Sequence, residues 1–80
     1  MKEYFIVNIK GHQFEFSRIT YSSFDIWYHI IAGLNKGEVV YRMNEVTEGI
    51  WKIKTPRMSP EVCGYELDCS EAIRKNESFN

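Results

Sequence analysis

Apolar and polar residues alternate on both sides of a Lys10-Gly11 dipeptide, and that pattern constrains the chain more than any other. In "EYFIVNI", Phe5, Val7 and Ile9 fall on one side of an extended strand and Tyr4, Ile6 and Asn8 on the other. In "QFEFSRIT", Phe14 and Phe16 alternate with Gln13, Glu15 and Ser17. Period-two alternation broken by glycine predicts a β-hairpin. The turn is Lys10-Gly11, with Val7 opposite Phe14, or Gly11-His12, with Val7 opposite Phe16. Both choices keep the phenylalanines on the same face, so the core side is set whichever turn is used.

The next segment, "YSSFDIWYHIIAGLNKG", reads as a helix. Ser22 or Ser23 supplies a cap, Asp25 a first-turn charge, and Asn35-Lys36-Gly37 a stop. At helical spacing its apolar residues, Phe24, Ile26 to Tyr28, Ile30, Ile31 and Leu34, cover an arc of roughly 200°. One sheet cannot cover so wide an arc, so a second helix or another chain is expected against it.

A second hairpin follows in "EVVYRMNEV", "TEG" and "IWKIKT". A three-residue loop ending at Gly49 sets Met43 opposite Ile53 and Tyr41 opposite Thr55, with Trp51 on the same side. A two-residue Glu48-Gly49 loop would face Met43 with Lys54 and is disfavoured. Ser59-Pro60-Glu61 opens a closing helix whose stripe is Val62, Tyr65, Cys69, Ala72 and Ile73. Gly64 and a competing Tyr65-Leu67-Cys69 alternation leave a strand plus a short helix as the alternative. The tail "NESFN" is expected to fray.

The order ββαββα predicts an α+β two-layer sandwich: one domain, with a four-stranded antiparallel sheet and both helices on one face. Eighty residues bury a limited core, yet 44% are hydrophobic, which argues against disorder. The short apolar run at the N-terminus is no signal peptide, and no stretch is long enough for a membrane span. The chain is therefore expected to be cytoplasmic, with no membrane partner. Cys63 and Cys69, six residues apart, lie about 9 Å apart on a helix, too far for a disulfide, and are expected as free thiols.

Function is less legible. Residues 36 to 57 hold Lys36, Arg42, Lys52, Lys54 and Arg57 against Glu38, Glu45 and Glu48. Arg42, Lys52, Lys54 and Arg57 form a candidate nucleic-acid set, but Trp51 and Tyr41 point to the other face and offer no stacking platform there. A solvated strand guarded by lysines explains the same pattern. From Met58 onward five acids stand against two cations, an acidic helix opposed to a basic hairpin.

Asp25 and His29, four apart, make an acid–base pair with no third group. His12, His29, Cys63 and Cys69 lack the close paired spacing of a zinc site. No phosphate loop, dinucleotide fingerprint or nucleophile elbow is present. No catalytic residues, cofactor, metal or small-molecule ligand are expected. What remains is the sheet face turned away from the helices, with Tyr4, Ile6, Ile19, Val40 and Val46. Apolar groups gathered there predict a small non-catalytic binding protein, an inhibitor, adaptor or self-associating factor, contacting a protein partner or a second copy of itself through this face or an exposed edge of the sheet. Its length suits an accessory protein of a phage or mobile element.

Overall fold

The computed structural model describes residues 1–78. Five strands, β1 (Tyr4–Ile9), β2 (His12–Ser22), β3 (Asp25–Leu34), β4 (Gly37–Thr47) and β5 (Ile50–Ile53), form one antiparallel sheet in the order of the chain. Two helices follow, α1 (Pro60–Cys63) and α2 (Glu66–Ser78), against one face. The α+β class and the antiparallel sheet agree with the sequence reading, but the sheet has five strands rather than four.

The difference is β3. The segment read as the first helix is the central strand. Residues 26–31, Ile-Trp-Tyr-His-Ile-Ile, are β-branched or aromatic but for one histidine, and such side chains fit a pleated surface better than a helix. The wide apolar arc had another cause: a middle strand is apolar on both faces. Tyr28, Ile30, Ala32 and Leu34 are buried beneath the helices, whereas Trp27, His29 and Ile31 face the other way.

Both predicted hairpins form. Val7 lies opposite Phe14, and Lys10 and Gly11 both have positive φ, 51° and 85°, the signature of a type I′ turn. Met43 lies opposite Ile53 as expected, though by an unforeseen route. Thr47 pairs with Ile50 across the disfavoured Glu48-Gly49 loop, and a bulge at Val46 then restores the register.

The C-terminal segment is helical, in two pieces. Ser59 caps α1, its hydroxyl accepting from the Val62 amide at 3.3 Å, with Pro60 in the first turn. The chain breaks at Gly64 and resumes as α2. The stripe Val62, Cys69 and Ile73 is buried against Phe14, Phe16, Tyr28, Ile30, Tyr41, Met43 and Trp51. Phe5 stacks on Phe16 with ring centroids 4.8 Å apart, and Tyr28 meets Trp51 edge to face at 5.3 Å.

Polar side chains of α2 finish what the apolar stripe begins. Strand β5 lies at the sheet edge, and its outward amides would be left bare by the ladder. The Ser70 hydroxyl accepts from Trp51 N at 2.9 Å, and the Glu66 carboxylate from Ile53 N at 2.8 Å. At the other end of α2, Asn76 accepts from Lys2 N and donates to Lys2 O, both at 2.9 Å, as a neighbouring strand would. Glu77 takes the Arg18 guanidinium at 2.6 Å and the Tyr28 hydroxyl. Asn76 and Glu77 are thus anchored rather than frayed, while Phe79 and Asn80 of the predicted tail lie outside the described residues.

Replacing Ser70 with alanine strands the Trp51 amide in a buried setting. We expect a loss of about 1–3 kcal/mol in urea unfolding, with the slope unchanged. A shift smaller than ~0.5 kcal/mol would mean that this bond does not hold the helix to the edge.

Candidate functional site

The face of the sheet opposite the helices is built in rows by the strand register. Ile6 lies beside Glu15, Ile31 and Val40 in turn. A second row runs Tyr4, Ser17, His29 and Arg42, and a third Ile19, Trp27, Asn44 and Lys52. Tyr4, Ile6 and Val40 are each more than half exposed, and Ile19, Trp27 and Ile31 are half-buried among their neighbours. Tyr4, Ile6, Ile19 and Val40 therefore lie on the face the alternation assigned them. Val46 is exposed but sits in the bulge near the β4–β5 turn, away from these rows.

The reassignment of β3 adds Trp27, His29 and Ile31, which helical periodicity had hidden. The signal available in the sequence was the run of β-branched and aromatic residues itself. Trp27 is fixed by its indole N–H donating to Asp25 Oδ1 at 2.8 Å. The Arg42 guanidinium lies over its ring, 4.8 Å from the centroid. The Tyr4 hydroxyl donates to Glu15 at 2.7 Å, and this hydrogen bond to a carboxylate, with the nearby negative charge, raises the Tyr4 pKa.

The basic set does not converge. Arg42 and Lys54 are neighbours across β4 and β5, Lys54 N donating to Arg42 O at 2.9 Å. Lys52 ion-pairs with Glu66 at 3.6 Å. Arg57 lies in the loop before α1, exposed and with φ of 62°. The expected separation of aromatic and basic groups is corrected in one respect: Trp51 and Tyr41 are buried, but Trp27 shares the face with Arg42.

The acid–base pair comes apart. Four residues along a strand separate Asp25 from His29 by about 13 Å, and Asp25 is engaged by Trp27. The would-be zinc ligands are dispersed as well. His12 packs edge-on to Tyr65, Cys63 is exposed on α1, and Cys69 is in the core with its thiol 3.2 Å from the Tyr41 hydroxyl. Among the described residues no cluster of histidine, cysteine or carboxylate side chains is placed to hold a metal, and no helix is long and apolar enough to cross a membrane.

No family model, curated protein or solved structure compared with the chain matches it.

The two cysteines should report their different surroundings. Burial pushes the Cys69 thiol up to about 11, against the opposing pull of the Tyr41 hydrogen bond. A thiol reagent is expected to label Cys63 alone in the native chain and both residues in denaturant. Because the folded state raises this pKa from 9.0, the associated stability is present below pH 9 and lost as pH climbs through about 11. The thermal midpoint should fall across that window more steeply in the parent than in Cys69→Ala.

Proposed function

We propose that this protein is a non-catalytic binding module that docks a protein partner on the open face of its sheet. The observation that carries the reading is the adjacent pair Ile31 and Val40, with Ile6 beyond Glu15 in the same row and Tyr4, Ile19 and Trp27 in the rows beside it, on a face the helices leave uncovered. The core is complete on the opposite side, so these groups are not needed to close it. Apolar groups clustered on one uncovered face, here interleaved with Glu15, Ser17 and His29, are a mark of an interaction site. β-Branched residues on a sheet are stiff, so docking against them orders little that is not already ordered. The cations on this face that have no ion pair among the described residues, Arg42 and Lys54, favour a partner whose apolar patch is edged by carboxylates. An inhibitor, an adaptor and a self-associating factor all use such a surface.

A second reading, nucleic-acid binding, gains from Trp27 lying under Arg42 beside Lys54. Stacking platforms flanked by cations are how open sheets hold single strands. Glu15 and Glu38 on the same face, and Lys52 tied to Glu66, weigh against it.

Val40→Glu and Ile31→Lys place charges in the centre of the patch without touching the core. Both variants should keep the parent's circular dichroism spectrum while losing proteins that the parent retains in affinity capture, by more than ~10-fold. Unchanged capture would overturn the reading. Retention of mixed oligonucleotides that falls steeply with salt, and is lost in Trp27→Ala but not in Val40→Glu, would decide for the second reading.

A further inference from the structure

The two edges of the sheet are treated differently. On β5 the outward amides of Trp51 and Ile53 are taken by Ser70 and Glu66. On β1 the bond from Arg18 N to Glu3 O, with the register that follows, turns Phe5, Val7 and Ile9 toward β2. The backbone groups of Lys2, Tyr4, Ile6 and Asn8 therefore point outward. Asn76 occupies those of Lys2. Those of Tyr4, Ile6 and Asn8 are bonded to nothing among the described residues.

Beside this edge, α2 stands off the sheet. The space between them is a groove of about 830 Å³ whose floor is Phe5, Val7 and Ala72. Helix α2 runs antiparallel to β1, since Asp68 lies 3.8 Å from Lys10 and Asn76 holds Lys2. One end of the groove therefore carries Asp68 and Glu71, with Lys10 and Arg74 as their ion-pair partners, and the other Lys2 and Lys75.

We propose that a second copy of this chain pairs along β1, antiparallel about a two-fold axis through Ile6, to make one continuous sheet. In that register Ile6 meets Ile6 and Tyr4 meets Asn8, so every open amide and carbonyl of the three residues finds a partner. Phe5 and Val7 of each copy meet across the dyad and fill the facing grooves. The two-fold axis sets the Asp68–Glu71 end of one groove against the Lys2–Lys75 end of the other, a self-complementary arrangement that a closed dimer requires. Lys10 of one copy meets Lys2 of the other, and Asp68, already beside Lys10, offsets one of these two charges. This interface uses the backbone edge and the groove; it shares the Tyr4 and Ile6 positions with the open-face reading but leaves the Ile31–Val40 patch free.

Sedimentation equilibrium of the full chain, with residue-resolved hydrogen exchange at several concentrations, tests it. The mass should rise from 9.5 kDa toward twice that value, and the Tyr4, Ile6 and Asn8 amides should gain protection as it does. Ile6→Pro removes an amide the fold itself does not use, and should be monomeric with an unchanged spectrum. Asp68→Lys should weaken association by ~10-fold or more, and adding Lys75→Glu should restore it; this pair decides the matter should the proline variant fail to fold. Val40→Glu should dimerise like the parent, separating this interface from the open face. A chain that stays at 9.5 kDa up to about 1 mM overturns the proposal. So does a dimer whose Tyr4, Ile6 and Asn8 amides exchange unchanged, or a charge pair that shows no rescue.

Discussion

The structure depends on one helix reaching across a sheet that cannot complete itself. A five-stranded meander has two bare edges and one face of large apolar side chains. Helix α2 deals with both. Cys69 and Ile73 press into that face beside Tyr41 and Trp51, while Ser70 and Glu66 accept the amides of β5 and Asn76 takes the backbone of Lys2. The Ser70 and Glu66 contacts occur where an apolar side chain would leave a buried or part-buried amide unpaired, a loss larger than the bond's own net gain. The second face receives no such cover, and the uncovered surface follows from there being only one helix of useful length.

At the far end of α2, Arg18, Tyr28 and Glu77 form a hydrogen-bonded group at the margin of the core. Burial, with the bond to Glu77, raises the Tyr28 hydroxyl, and the Glu77 carboxylate holds Arg18 firmly cationic. A nearly enclosed guanidinium needs its counter-charge, so this group fixes where the last turn of α2 must lie. Together with Ser70 at mid-helix, it fixes where α2 lies along the sheet, and hence which stretch of β1 stays open.

Much of this was legible in the sequence where period-two alternation was sharp and glycine marked a turn. In the phenylalanine hairpin either turn keeps Phe14 and Phe16 on the core face, and in the second hairpin the Met43–Ile53 pairing keeps lysine out of the core. The central strand was not legible by the same rule. Ile26, Trp27, Ile30 and Ile31 serve two apolar environments at once, and a chain apolar on both faces loses its alternation. Serine, aspartate and a terminal glycine then imitated the start and stop of a helix, though here they form turns. That single misreading hid half of the candidate surface, because Trp27, His29 and Ile31 belong to it. The hydrogen bonds of Ser70 and Asn76 were invisible for another reason: residues so far apart in the chain leave no local pattern.

The bond between Lys2 and Asn76 joins positions 74 residues apart, whereas each strand is hydrogen-bonded in the sheet only to the strands next to it in the chain. During synthesis the meander can thus zip together as it leaves the ribosome, but its greasy underside and both flanks stay bare until the last helix emerges. For that interval the nascent sheet is sticky on every side, and its safety rests on how quickly α2 folds down rather than on how well the strands have paired.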